Sequence, residues 1–175
     1  MKVGRTRTIA AQGMLAAIYV VLSISTQPIS FGPVQCRVAE ALTVLPFLEP
    51  LCTVGLAVGC LLANLLGGAG ILDIVFGTLA TVLAGLLSSK MPKSWLAPLP
   101  PVVLNGLIVG AVLTTVSVTA ENFFPTFWLY AGEVALGELA ACGILGLPLL
   151  KVVGRTGLFP KTKGTKAVKR KKSPL

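Results

Sequence analysis

Polar and acidic residues set inside long apolar runs constrain this chain more than any other feature. Glu40, Asn64, Asp73, Asn105, Glu133 and Glu138 all lie within or at the ends of hydrophobic stretches. A carboxylate carried to the centre of a bilayer costs about 3 kcal/mol on insertion scales. Such a residue persists where it faces a protein interior, a partner or a water-filled cavity. The pattern predicts a small polytopic membrane protein with a polar site inside its bundle. Only 12% of the 175 residues are charged against 54% hydrophobic, too few charges for a soluble domain of this length.

The apolar stretches are Ile9–Thr26, Val38–Leu48, Leu51–Leu66, Ile71–Ser88, Ala97–Val118 and Phe127–Leu150. A helix needs about 20 residues to cross about 30 Å of hydrocarbon. The first, fourth, fifth and sixth stretches are comfortable spans, whereas the second and third are short and interrupted by Pro46 and Pro50. Those two form either a pair of compact helices or one broken helix, and the basic residues arbitrate. Six crossings place Lys2, Arg5 and Arg7, then Lys90 and Lys93, then the run from Lys151 to Lys172 on one side, as the positive-inside rule requires. Five crossings would put one basic terminus outside. The expected fold class is all-α: a multi-pass bundle of six transmembrane helices with both termini cytoplasmic.

Residues 1–8 are then a cytoplasmic N-terminus, 9–150 the membrane domain, and 151–175 a basic, disordered cytoplasmic tail leaning on the anionic inner leaflet. The net charge of +9 sits mainly in that tail rather than on a folded face, so nucleic acid is not an expected partner. The first stretch lacks a small-residue cleavage motif and reads as a retained helix. There is no histidine, and Cys36, Cys52, Cys60 and Cys142 form no Cys-x-x-Cys pair. A metal centre, a redox pair and a histidine-assisted nucleophile are therefore not expected; the cysteines read as small apolar side chains. A Gly-x-x-x-x-Gly-Lys-Ser/Thr loop is also missing, so the chain does not bind ATP in that manner. No cofactor and no catalysis are expected.

Helix rise gives the depths of the polar residues. Glu40, Asn64, Asp73 and Glu133 fall in the outer third, Glu138 near the middle and Asn105 in the inner half of the fifth helix. A cluster open to the outside suits a capture protein better than a proton relay, which needs carboxylates across the whole thickness. The segment from Phe31 to Glu40 is the densest: Gly32 and Pro33 shape a turn, then Gln35, Arg37 and Glu40 open the second helix. Arg37 and Glu40 are three apart and can meet on one helical face, as a local ion pair or as a ligand gate. Glu133 and Glu138 are about 140° apart around their helix and cannot both face one pocket squarely. Phe123, Phe124, Phe127, Trp128 and Tyr130 gather at the outer end of the sixth helix; they anchor it in the interface, or Trp128 and Tyr130 stack on a flat ligand. Ala10, Gly13 and Ala17 give the first helix a small-residue face, suited to internal packing or to a partner subunit.

With these residues the chain resembles the QueT-type substrate-binding (S) components of energy-coupling factor (ECF) transporters, assigned to queuosine precursors. The resemblance covers about residues 9–150. It rests on Ala16-Ala-Ile-Tyr-Val-Val, Phe31-Gly-Pro-Val-Gln-Cys-Arg-Val-Ala-Glu-Ala-Leu42, Gly59-Cys-Leu-Leu-Ala-Asn64, Asp73-Ile-Val-Phe-Gly-Thr-Leu-Ala-Thr81, Pro100-Pro-Val-Val-Leu-Asn-Gly106 and Gly137-Glu138. It implies a six-helix subunit of a bacterial cell membrane that captures 7-deazaguanine bases, queuine included, from outside. It also implies a membrane scaffold subunit and two ATPase subunits as partners, with Ala10, Gly13 and Ala17 on the docking face. Gly13 stands where an Ala is more usual. The residues expected to bind substrate are Gln35, Arg37, Glu40, Asn64, Asp73, Asn105, Trp128, Tyr130, Glu133 and Glu138, with Glu133 preferred as reader of the base edge, then Asp73, then Glu40. The rival readings are an S component for another vitamin and a structural subunit of a membrane complex.

Overall fold

The computed structural model describes residues 5–27, 37–117 and 122–156, and every element among them is helical. The elements are α1 (Arg5–Ser25), α2 (Val38–Phe47), α3 (Cys52–Leu66), α4 (Ile71–Ser88), α5 (Leu99–Ser117), α6 (Phe123–Glu138) and α7 (Leu147–Thr156). A π-helical stretch, Leu139–Gly146, joins α6 to α7, so that Phe123–Thr156 runs as one apolar helix. Thr8–Ser25, Ile71–Ser88, Ser94–Ser117 and Phe123–Thr156 are long and apolar enough to cross a membrane, while α2 and α3 are shorter. The last helix continues through Lys151 and Arg155, past the expected end at Leu150; the rest of the basic tail lies outside the described residues.

The distribution of polarity is that of a membrane protein. Val54, Val58, Leu61, Leu65, Val75, Leu79 and Leu86 are exposed along α3 and α4, while Arg37, Glu40, Asn64, Asp73, Asn105 and Glu138 are buried. Water would not tolerate so continuous an apolar surface, whereas hydrocarbon does, provided backbone polar groups are satisfied within helices.

α2 is the centrepiece. It is a 3-10 helix, buried from Ala39 to Leu48, and it packs against the π-helical stretch, α4 and α1. A 3-10 helix rises about 2.0 Å per residue rather than about 1.5 Å. Ten residues therefore reach about 20 Å, partly offsetting the shortness seen in the sequence. Its period of three also stacks Arg37, Glu40 and Thr43 in one row. The π-helical stretch has its own local cause. Pro148 lacks an amide hydrogen and its ring crowds the carbonyl four residues back, at Ile144, which the wider turn accommodates.

Close helix packing depends on glycine at a few contacts. A Cβ at Gly59 would lie 2.8 Å from the Cβ of Tyr19, and one at Gly55 would lie 2.8 Å from the Gln12 carbonyl oxygen. Gly55 and Gly59 thus form the small-residue face through which α3 meets α1. Gly110 of α5 does the same against Ala131 of α6, at 2.7 Å from its Cα. Pro100 and Pro101 sit in the first turn of α5, where their missing amide hydrogens cost nothing.

Candidate functional site: a polar cavity inside the bundle

The turn between α3 and α4 builds the outer part of the site. Gly68 takes a left-handed conformation (φ 74°) just past the end of α3, and the Ala69 amide donates to the Asn64 carbonyl at 3.0 Å. This 6→1 bond is that of a Schellman motif, which needs a residue free of a Cβ penalty at that φ. The turn is short enough to bring the last turn of α3 onto the first turn of α4, and Asn64 Nδ2 donates to the Asp73 carbonyl at 3.2 Å. Arg37, at the start of α2, completes the group. Its guanidinium donates to Asn64 Oδ1 at 2.9 Å and to Asp73 Oδ2 at 2.8 Å. The fork geometry of arginine serves two acceptors at once. Arg37 thus takes its ion pair from α4, not from the neighbouring turn of its own helix.

Deeper in, Glu40 and Glu138 face the same space. The Tyr19 hydroxyl, from α1, donates a short hydrogen bond to Glu40 Oε1. Asn105 Nδ2, from α5, donates to Glu138 Oε1 at 2.8 Å. Cys142, in the π-helical stretch, bridges the two sides: its thiol donates to the Glu40 carbonyl at 3.1 Å and lies 3.5 Å from Glu138 Oε2. The same carbonyl accepts from Thr43 Oγ1 at 2.7 Å. Glu40 and Glu138 are only 2% and 5% exposed. Glu40 Oε2 and Asp73 Oδ1 are buried with no hydrogen-bond partner among the described residues.

Between these groups lies a cavity to which four elements contribute a pair of residues each: Arg37 and Glu40 at the start of α2, Gly77 and Thr81 of α4, Asn105 and Val109 of α5, Val134 and Glu138 of α6. Each pair is spaced three or four residues apart, one helical turn. The space is about 10 Å³, room for about one water. A base-sized ligand therefore requires the surrounding side chains or helices to part. Polar walls with two apolar patches, Val109 and Val134, suit a flat heteroaromatic ring that is hydrogen-bonded at its edge.

A family profile described as QueT transporter matches residues 9–155. The chain belongs to the QueT transporter family. It is a membrane transport protein rather than an enzyme. The protein named "Queuosine precursor transporter QueT" from Lactococcus lactis subsp. cremoris (strain MG1363) is 27% identical to it over 154 residues, covering 81% of this chain and 89% of that protein. No solved structure matches it.

Of the residues expected in the site of this QueT-family chain, Arg37, Glu40, Asn105 and Glu138 line the cavity, and Asn64 and Asp73 hold Arg37. Gln35 lies outside the described residues. Glu133 is half-buried on α6 next to Val134 and does not line the cavity, which its 100° offset from the Val134 face explains. Trp128 is 66% exposed and packs edge-on to Phe127 with ring centroids 4.9 Å apart, and Tyr130 is half-buried. Ala10, Gly13 and Ala17 are exposed, on the face of α1 opposite Leu15, Ala16 and Tyr19; a Cβ at Gly13 would meet nothing within 4 Å. Among the described residues nothing packs closely on that face.

Sequence reasoning passed over Tyr19, Thr81 and Cys142. Tyr19 is fully buried and the one aromatic residue of α1, and a buried phenol needs an acceptor, a signal that pointed to an internal polar partner. Thr81 donates to Cys60 Sγ at 3.3 Å and to the Gly77 carbonyl at 3.1 Å. Cys60 and Cys142 read as apolar filler, yet both sulfurs take part in the polar network.

Proposed function

We propose that this chain is the substrate-capturing subunit of an ATP-driven ECF-type importer in the bacterial plasma membrane, with a 7-deazaguanine queuosine precursor such as queuine as cargo. The observation that carries the reading is the buried cavity whose walls pair carboxylates with amide and guanidinium donors. A guanine-like edge offers an N–H and an amino group to a carboxylate, and a carbonyl to an amide or guanidinium donor. Asp73 already spends one oxygen on Arg37, and Glu133 stands beside the cavity. Glu40 and Glu138 are therefore the better readers of that edge, with Asn105 or Arg37 on the carbonyl. Gln35, Trp128 and Tyr130 stay in the proposed binding set, the two aromatics as stacking partners for a flat base.

The chain has no ATP-binding loop, so energy comes from a scaffold subunit and two ATPases. The exposed Ala10/Gly13/Ala17 face is the docking surface, since small residues let a partner helix approach closely. In this topology both termini are cytoplasmic, residues 9–150 form the binding domain, and the basic tail lies along the inner leaflet.

Calorimetry on the purified protein tests the cargo: queuine binds and adenine does not, and a preference for adenine overturns the cargo class. Replacing Gly13 and Ala17 by Leu tests the partner. Uptake by cells falls while queuine binding by the isolated chain survives. Unchanged uptake removes the docking assignment.

A further inference from the structure

At the end of the bundle away from the Arg37–Asp73 pair, exposed cations gather on one surface. α4 ends at Ser88, and Lys90 and Lys93 follow in the connection to α5, both exposed. Lys151 and Arg155 of α7 are exposed too. Four residues apart, they share one flank of that helix. Packing brings the two pairs together. Met91, between Lys90 and Lys93, packs on the buried cluster that holds Leu48, Ala97 and Leu150, and so do Leu147 and Val153 beside Lys151. The short turn Ser94–Leu96 touches α7 as well.

No acid balances these charges. Among the described residues the ion pair is Arg37 with Asp73, in the first turn of α4 rather than its last. Glu49, next to Leu48, spends its Oε1 on the Leu51 amide at 3.4 Å. On the bilayer side of the cations the surface is apolar: Leu86 and Leu87 are exposed one turn before Lys90, and Trp95 is exposed just after Lys93. Exposed leucines at that level face acyl chains, and an exposed indole marks the headgroup level. A soluble anion would meet the cations alone, whereas a lipid meets them with its phosphates and the leucines with its chains. Basic pockets between helices at a membrane surface take such headgroups.

We propose that the α4–α5 connection and α7 form a seat for one anionic lipid carrying two phosphates, one held by Lys90 and Lys93, the other by Lys151 and Arg155. In the topology above, the seat lies in the inner leaflet. It is separate from the basic tail, whose attraction to an anionic surface needs no fixed pairing of charges.

The test is native mass spectrometry of the purified full-length protein, from micelles mixed with cardiolipin, phosphatidylglycerol or phosphatidylcholine. One cardiolipin should stay bound per chain, with an affinity about tenfold or more above that of phosphatidylglycerol. A cation near an anionic lipid is worth about fivefold, and only the two-phosphate lipid engages both pairs. Lys90→Gln with Lys93→Gln, and Lys151→Gln with Arg155→Gln, should each cost about tenfold or more in cardiolipin affinity. The quadruple variant should bind cardiolipin no better than phosphatidylglycerol. All three should melt like wild type in phosphatidylcholine, since the four side chains are exposed and outside any ion pair, which separates a lost seat from a lost fold. Replacing Lys169, Arg170, Lys171 and Lys172 of the tail by Gln should leave the preference in place. Equal wild-type affinity for cardiolipin and phosphatidylglycerol overturns the two-phosphate seat. A preference that survives in the quadruple variant, or that vanishes in the tail variant, overturns the residue assignment. Displacement of cardiolipin by inorganic pyrophosphate as readily as by more cardiolipin makes this a site for a soluble anion and overturns the lipid.

Discussion

At the α3–α4 turn, Arg37, Asn64 and Asp73 balance in charge: one cation, one anion, and an amide that accepts from the guanidinium while donating to the Asp73 backbone, with Asp73 Oδ1 left without a partner among the described residues. Deeper in, Glu40, Glu138 and Asn105 line a cavity with two acids, and the one base that also lines it, Arg37, is already ion-paired with Asp73. Burial is alike in the two clusters and each leaves one carboxylate oxygen without a partner among the described residues, so the difference lies in closure of charge: Asp73 has its ion pair, Glu40 and Glu138 have only neutral hydrogen-bond partners there. A closed cluster holds helices together and has little left to offer a ligand. An open one contributes little to the fold and keeps its acceptors for something that arrives later. The comparison assigns stability to the outer cluster and recognition to the inner one, and substitutions can break that division.

The largest effect is expected at Asp73. Asp73→Ala leaves Arg37 buried without its ion pair, and breaking such a pair from one side costs about 3–5 kcal/mol. Thermal or denaturant unfolding in detergent micelles should register the loss. Replacing both partners with apolar residues, Arg37→Met with Asp73→Leu, should recover most of it, because two buried charges then vanish together. If Asp73→Ala unfolds like wild type and fails only in ligand binding, the outer cluster is not structural and the division between the clusters collapses.

Tyr19→Phe sharpens the boundary between the clusters, because Tyr19 belongs to α1 but serves the inner one. Removing its hydroxyl leaves Glu40 Oε1 without its donor, a loss of about 1–3 kcal/mol for a buried acceptor. The helix packing through Gly59, which meets the Tyr19 Cβ, survives the change. A smaller stability loss than that of Asp73→Ala, accompanied by altered ligand affinity, is the expected pattern. A loss as large as that of Asp73→Ala would mean that the inner cluster also holds the fold.

How much of this was legible in the sequence follows from what each residue answers to. Helix positions were, since apolar run length and the proline breaks at Pro46 and Pro50 are local properties: Ile71–Ser88 falls where the run predicts it. The polar residues of the site were legible as a group, because a carboxylate in an apolar run has nowhere else to go. Their pairing was not. Arg37 and Glu40 are three apart, and spacing offered each to the other, but the Gly68 turn delivers Asp73 to Arg37 and leaves Glu40 to Tyr19. Glu133 had suitable depth and glycine neighbours, yet depth says nothing about azimuth, and the face of α6 is set by Ala131 packing on Gly110. The 3-10 form of α2 was equally hidden, as it depends on the helices that surround it on every side. The two cysteines were misjudged for a simpler reason: a thiol is a weak donor, and only its neighbours decide whether it is used.

Cys142 offers the finest test, and the smallest effect. Its thiol touches both sides of the inner cluster, donating to the Glu40 carbonyl and lying against Glu138 Oε2. That position would suit a ligand-binding group or a mere spacer. The closure argument favours the spacer. The Glu40 carbonyl keeps the Thr43 hydroxyl at 2.7 Å when the thiol is gone, and Glu138 keeps Asn105. Cys142→Ala should therefore cost about 1 kcal/mol, mostly from lost packing in a fully buried position. Affinity for queuine should stay within about twofold, because a weak S–H donor adds little beside the carboxylates and the amide. Unfolding in micelles and calorimetry on the same preparation give both numbers. A tenfold fall in affinity at unchanged stability would place the sulfur in the recognition surface, and the inner cluster would then need a third contact that its carboxylates do not provide.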